Sequence, residues 1–329
     1  LKFIIESSQI MVYTVVFCSL IALAFIYLKV ADHFNIIDKP NQRSSHVEPT
    51  IRGGGIIFYL AIVLFYILSD FKYTPFFLAV TLIALVSFID DLIMLSPKVR
   101  LIAHFTTAFL LIWQLGLLES PIWLLLLIPI IIVGFFNLYN FMDGLNAMTG
   151  LYSIVVLSGF LWINTIEHVM DSNLIIYVLL SLVVFGYFNF RKKAKCFAGD
   201  IGSMTLATLL FFLGAKFIIT LQAPIFILII VVYGIDACLT IFLRMSRKEK
   251  ISEAHRHHLY QKLVDVSKWS HLKVSGVYAF IQLLIVILIY YFYKENWTIQ
   301  FSLIFSVIAL LAVVYFYAIR YYKRIESKI

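Results

Sequence analysis

Residues 122–144 read IWLLLLIPIIIVGFFNLYNFMDG, an apolar run from Ile122 to Phe136 that ends in Asn137, Asn140 and Asp143. A hydrocarbon core about 30 Å thick takes about 20 apolar residues per helical crossing, so this stretch reads as one membrane helix with a polar end. The spacing i, i+3, i+6 places the two asparagines and the aspartate on one helix face. Three oxygen-bearing side chains on an otherwise apolar helix are costly to bury without partners. A hard cation such as Mg²⁺ together with a diphosphate would supply them. Asparagines also bond across membrane helices as structural glue, and that reading stays open.

Working outward, similar runs recur along the chain at about 10–30, 55–69, 75–89, 101–117, 144–163, 174–190, 202–220, 224–243, 273–293 and 299–318. The composition agrees: 62% of the 329 residues are hydrophobic and 13% charged, against about 45–50% and about 25% in soluble domains. The expected fold is an all-α, polytopic membrane helix bundle of ten or eleven crossings, forming a single membrane domain over 1–329. The first run has its basic flank (Lys29, Lys39, Arg43) after it, so it reads as a true first helix and not as a cleaved signal.

The net charge of +8 reports topology. Segments 29–54, 90–100, 191–200, 244–273 and 318–329 hold 22 of the 26 Lys and Arg; the other side has Lys2, Lys72 and Lys294, with Lys216 near a helix end. The positive-inside rule makes the five segments cytoplasmic and the N-terminus periplasmic. The main cytoplasmic loops are then 31–54 and 244–272. No basic surface interleaved with aromatics supports nucleic-acid binding. Cys18, Cys196 and Cys238 have no paired spacing, so neither a disulfide framework nor a zinc site is indicated.

Under this topology the chemistry-bearing residues gather on the cytoplasmic face. Asp90-Asp91 close the third helix, with Lys98 and Arg100 following. Adjacent like charges oppose simultaneous ionisation, which suits one of the pair to take a proton. A solvated loop after a helix is the plainer reading. Phe197-Ala198-Gly199-Asp200-Ile201-Gly202-Ser203 sets a glycine-flanked acid at a helix start, where a cation would turn its repulsion of phosphate into attraction. Arg52-Gly53-Gly54-Gly55 puts three glycines at a helix mouth, an arrangement that close approach of backbone to a ligand would justify. His255-Arg256-His257-His258 lacks a cysteine or carboxylate at zinc spacing and reads better as a pyrophosphate clamp. His33, His104 and His168 read as structural or exposed. The rival class is a secondary transporter or lipid flippase. Such proteins place ionisable groups near the bilayer midplane, whereas here only Asp236 lies well inside a crossing.

Taken in order, D-K-P-N-Q-R-S-S-H (38–46), P-T-I-R-G-G-G (49–55), Asp90-Asp91, N-L-Y-N-F-M-D-G (137–144), F-A-G-D-I-G-S (197–203) and H-R-H-H (255–258) resemble the polyprenyl-phosphate N-acetylhexosamine-1-phosphate transferases. The resemblance spans Asp38 to His258. It implies transfer of a sugar 1-phosphate from a UDP-sugar to undecaprenyl phosphate at the bacterial inner membrane, with release of UMP and a requirement for Mg²⁺, for which Mn²⁺ can substitute. It implies that Asp200 and Asn140 hold the metal. Asp90 would deprotonate the lipid phosphate with Asp91 beside it, Asp143, His257 and His258 would belong to the catalytic set, and Phe197 would stack on uracil. Asn137, Asn146, His255, Arg256, Arg52 and Lys98 are the further substrate-binding candidates. Direct in-line attack and a covalent aspartyl intermediate both remain open, and family members are often homodimers. One departure bears on the donor. Where the pentapeptide translocases carry an acid three residues after the Asp143 position, this chain has Asn146. The H-R-H-H wording looks more like the branch that starts O-antigen or other surface polysaccharides on UDP-GlcNAc, UDP-QuiNAc or UDP-FucNAc.

Overall fold

The computed structural model describes residues 2–40, 48–250 and 256–326, with the side chains of 2–8 left aside. Twelve α-helices are described: α1 (Lys2–His33), α2 (Ile56–Leu68), α3 (Thr74–Leu92), α4 (Pro97–Gln114), α5 (Ile122–Phe141), α6 (Met148–Glu167), α7 (Ser172–Asn189), α8 (Gly199–Leu221), α9 (Val231–Ser246), α10 (Leu259–Asp265), α11 (His271–Phe292) and α12 (Trp297–Glu326). Pro224–Ile230 forms a 3-10 segment that runs into α9. Each of the eleven apolar runs is a helix, and the extra one, α10, is a short amphiphilic helix in the 244–272 loop. Among the described residues nine helical spans are long and apolar enough to cross a membrane, while α2 is shorter, at 13 residues. Helices are what such runs must form, because lipid offers backbone groups no partners.

Side-chain caps fix several of the starts. Ser96 precedes Pro97 and accepts from the Val99 N–H, Asp171 accepts from the Asn173 N–H, and Ser270 accepts from the Lys273 N–H. The expected third crossing, 75–89, runs on to Leu92, so Asp90 and Asp91 belong to the last turn of α3. The sixth starts at Met148 instead of 144, because a turn over 142–147 with Ala147 in the left-handed region separates it from α5.

The connections sort into two ends of the bundle. At one end the α2–α3, α6–α7 and α11–α12 turns are tied by Lys72–Asp171 at 2.8 Å and Lys294–Glu167 at 2.7 Å. At the other lie Asp90, Asp91, Asp143, Asp200 and α10. There a two-stranded antiparallel ribbon, β1 (Ile37–Asp38) and β2 (Thr50–Ile51), is joined to the 191–198 loop by an Ile51–Cys196 bridge. The grouping of acids at one end is therefore a property of the fold.

α8 runs through the middle, against α2, α3 and α5, and its glycine meets the triple glycine. A Cβ on Gly55 would overlap the Gly202 Cα and crowd the Ala198 carbonyl, and one on Gly54 would overlap the Cys196 thiol. Gly55 thus admits the backbone of α8 and Gly54 the Cys196 side chain, so packing within the protein accounts for both small residues where approach of a ligand was expected. Gly55→Ala is expected to destabilise the protein by about 1–3 kcal/mol through overpacking, read as a lower melting temperature in detergent. An unchanged melt would show that the α2–α8 crossing can open freely.

Buried polar groups stitch the core. Tyr152 donates to Gln282 Oε1 at 2.6 Å, Gln282 donates to the Leu228 carbonyl at 3.0 Å, and the Tyr152 and Tyr233 rings stack 3.7 Å apart. This satisfies the amide and phenol inside the bundle, as burial requires.

Candidate active site

Four helix ends bring the polar groups together. The last turn of α3 supplies Asp90, the start of α4 Arg100 and His104, the end of α5 Asn137 and Asn140, and the start of α8 Asp200. These line a cavity of about 40 Å³. On this measure a water needs about 10–15 Å³, so the space suits an ion together with a few waters.

The neighbours Asp90 and Asp91 diverge. Asp90 Oδ1 accepts from the Leu95 N–H at 2.7 Å and Oδ2 lies 3.3 Å from Arg100 Nη1. Asp91 points to α8. Its Oδ1 is 2.7 Å from Arg52 Nε and accepts from the Asp200 N–H at 3.2 Å, while Oδ2 accepts from the Ile201 N–H at 3.3 Å. The Asp91 side chain is fully buried and caps a helix start, where a negative charge meets unpaired N–H groups and the positive end of the dipole. Gly199, at φ +70°, leaves room for it, since a Cβ there would crowd Asp91 Oδ2. The expectation of two carboxylates acting on each other gives way to two acids with separate partners.

Arg52 reaches onward to Asp200, with Nη2 3.7 Å from Oδ1. Burial works against its charge, but the Asp91, Asp200, Asp38 and Asp90 carboxylates outweigh it and hold the guanidinium above its usual value. Tyr27 positions the residue by donating to the Arg52 carbonyl at 2.6 Å. On the opposite wall Ser203 donates to Asn140 Oδ1 at 2.5 Å. Asn137 turns its amide back to the Val133 carbonyl at 2.7 Å.

Asp143 lies in the turn after α5, where Thr149 donates to its Oδ1 at 2.5 Å. Burial pushes the Asp143 carboxyl up to about 6; the Thr149 bond opposes this, the Asp200 charge adds to the rise and Arg52 opposes it. A folded-state value above the unfolded 3.8 means that Asp143 contributes stability below about pH 4, which is lost as the pH rises through about 6. Asp143→Asn should therefore gain in melting temperature relative to the parent between pH 4 and 7. A gap that stays constant over that range would remove this assignment.

The histidine motif divides. His258 is buried, with Nδ1 3.3 Å from Asp236 Oδ1, and caps α10 together with Gln261. Asp236 also accepts from the Leu259 and Tyr260 N–H groups and from the Tyr278 hydroxyl at 2.6 Å. α10 is thereby laid against the end of α5, where Tyr260 donates to the Phe141 carbonyl at 3.0 Å and occupies the space that a Cβ on Gly144 would need. His258 is thus a buried group of this packing, its ring 6.4 Å from that of Phe141 at the end of α5. Arg256 is engaged bidentately by Asp265 at 2.8 and 2.9 Å, and His257 faces Glu249 at 3.6 Å. These contacts correct the picture of one continuous clamp. His255 lies outside the described residues, as do 41–47 of the first basic motif.

Other candidates stand apart from the cavity. The Asn146 amide donates to the Arg191 and Lys192 carbonyls at 2.9 and 3.2 Å, which makes it a tie between two loops. Lys98 is exposed on the first turn of α4. Phe197 is half-buried and holds the ribbon through backbone bonds to Ile51 and Gly54. Arg100 and Ser203, quoted within the sequence motifs without a site role, join the site here: Arg100 lines the cavity and Ser203 holds Asn140. His104, expected to be structural or exposed, lines the cavity instead.

A magnesium ion fits this donor set. Asp200 offers a partly exposed carboxylate, and Asn140 Oδ1 retains a lone pair beyond its bond from Ser203. Two oxygen donors are what an ion needs that takes one or two protein ligands and completes its shell with water and phosphate oxygens.

Fold and cavity together define a multi-pass membrane protein with an oxygen-rich, arginine-flanked site at one end of its bundle. Residues 73–219, which carry Asp90, Asp91, Arg100, Asn137, Asn140, Asp143, Phe197 and Asp200, match the model of glycosyl transferase family 4. It is 24% identical over 77% of its length to a Bacillus subtilis protein described as a probable undecaprenyl-phosphate N-acetylglucosaminyl 1-phosphate transferase, covering 76% of that chain. It is 26% identical over 72% of its length to a Thermotoga neapolitana phospho-N-acetylmuramoyl-pentapeptide-transferase, covering 82% of it. A third relative, the Salmonella typhi undecaprenyl-phosphate alpha-N-acetylglucosaminyl 1-phosphate transferase, is 26% identical over 60% of this chain and 58% of its own.

Proposed function

We propose that this protein transfers an N-acetylhexosamine 1-phosphate from a UDP-sugar to undecaprenyl phosphate, releasing UMP, on the cytoplasmic face of the bacterial inner membrane. The observation that carries this reading is the single cavity in which Asp90, Arg100, Asn140 and Asp200 converge at a membrane-end position, where a lipid phosphate and a soluble nucleotide can meet. The Lys and Arg distribution supports the cytoplasmic assignment.

In this reading an oxygen of the lipid phosphate attacks the sugar-bearing phosphorus as the bond from that phosphorus to the UMP oxygen breaks. Asp90, held by Arg100 and the Leu95 N–H, accepts the proton of the lipid phosphate. Arg52 faces the phosphates, fixed by Asp91 from behind. Mg²⁺, held by Asp200 and Asn140, would neutralise charge on the diphosphate. For the donor we propose a UDP-linked GlcNAc, QuiNAc or FucNAc, which makes this the first membrane step of O-antigen or another surface polysaccharide. The engagement of Asn146 with backbone carbonyls supports a site without the acid expected there for the muramyl-pentapeptide donor.

The test is UMP release by purified protein with undecaprenyl phosphate, Mg²⁺ and a panel of UDP-N-acetylhexosamines and UDP-MurNAc-pentapeptide. Lipid- and Mg²⁺-dependent UMP from one N-acetylhexosamine donor is the expected result. Release from the pentapeptide donor alone would overturn the sugar assignment, and no release from any donor by folded protein would overturn the reaction.

A further inference from the structure

α12 packs on α9, α10 and the 3-10 segment, away from the helices that line the acid cavity. Between its C-terminal turns, α9 and α10 lies a second cavity of about 140 Å³, into which Arg244, Arg247, His257, Lys262 and Lys323 project. Glu326 at its edge pairs with Lys262 at 2.7 Å, and Glu249 beside it faces Arg244 and Arg247 at 3.1 and 3.6 Å. Among the described residues four permanent cations thus meet two carboxylates there. His257 responds to that field: burial first holds its imidazole below the ordinary value, Glu249 opposes this, and Lys262, Arg247 and Arg244 push it lower still.

The cavity continues in an apolar direction. Tyr315 and Tyr322 form one wall of it and also one wall of a groove of about 230 Å³ that Leu263, Trp269, Ile281 and Val314 line almost entirely with carbon. The two phenols are fixed, Tyr315 by Thr240 and Tyr322 by Ser267, each at 2.7 Å. On its outer side α12 exposes Val313, Val314, Tyr317 and Tyr321, so the groove opens where acyl chains would lie. A cationic pocket at the end of a membrane bundle, joined to an apolar groove along the helices, has the form of its complement, an anionic headgroup carrying a hydrocarbon tail.

We infer that the cleft between α9, α10 and α12 binds an anionic glycerophospholipid of the surrounding bilayer, with its phosphate among Arg247, Lys262 and Lys323 and one acyl chain along the Tyr315–Tyr322 wall. The site shares no lining residue with the acid cavity, so it stands whether or not the proposed reaction does. It also gives His257, which lies outside the acid cavity, a place in the protein.

Native mass spectrometry of the delipidated full chain, titrated with phosphatidylglycerol or phosphatidylcholine, tests this. Phosphatidylglycerol should bind and raise the melting temperature, and phosphatidylcholine should do neither. R247A/K323A should weaken phosphatidylglycerol binding about thirtyfold, as loss of two headgroup contacts predicts. Ala318→Trp, which fills the groove and leaves every cation in place, should weaken it as well. Millimolar inorganic phosphate or pyrophosphate should not displace the lipid. Equal phosphatidylglycerol binding by parent and both variants would overturn the site. Full displacement by phosphate, with Ala318→Trp silent, would overturn the lipid and make the pocket one for a soluble anion.

Discussion

Asp200→Asn is expected to reduce UMP release at least about 10³-fold while the protein still folds. The variant keeps the shape of the side chain and removes a charge that lines the cavity and lies 3.7 Å from Arg52. Groups that stabilise charge developing in a transition state are worth about 10²–10³ each, and here a metal ligand would be lost as well. Stability should hardly fall, because Asp200 and Asp91 share one guanidinium and removing one carboxylate relieves like-charge repulsion. The readouts are kcat, the Mg²⁺ concentration giving half-maximal rate, and the melting temperature. A variant that retains a tenth of the parent rate at the same Mg²⁺ dependence would falsify the role of Asp200.

The helices were legible because lipid demands long apolar runs, and a run such as Ile122–Phe136 has few other uses. The shared face of Asn137 and Asn140 was legible from spacing, and both reach the cavity. The separation of Asp90 from Asp91 was also available in principle, since neighbours on a helix do not face each other. What the pattern hid were contacts between residues far apart in the chain. Gly55 needs its small size because of Gly202, Gly144 because of Tyr260, and the start of α10 is anchored by Asp236. None of these pairings leaves a local trace. The ribbon of β1 and β2 is two residues per strand, too short for alternation to register. The fates of Arg256 and His257 depend on the path of a loop, which composition does not encode.

The division of labour within Asp90-Asp91 predicts opposite signatures for two isosteric changes. In Asp91→Asn a fully buried carboxylate becomes an amide whose NH₂ must face Arg52 or the N–H groups of Asp200 and Ile201. Breaking a buried pair costs about 3–5 kcal/mol; because Arg52 keeps some contact with solvent, roughly 2–3 kcal/mol is expected here. The melting temperature should fall by several degrees, and activity with it, as Arg52 and the start of α8 lose their anchor. Asp90→Asn should melt closer to the parent than Asp91→Asn does, since its partner Arg100 is 42% exposed, although Asp90 itself is only 9% exposed, and partly exposed pairs contribute about 0–1 kcal/mol. Its kcat should nevertheless drop about 10²–10⁴-fold, the usual weight of a lost general base, with the loss partly recovered at high pH as the lipid phosphate ionises unaided. If Asp91→Asn instead melts like the parent and loses only turnover, Asp91 acts on substrate directly, and the structural role drawn from its contacts with Arg52 and α8 is wrong.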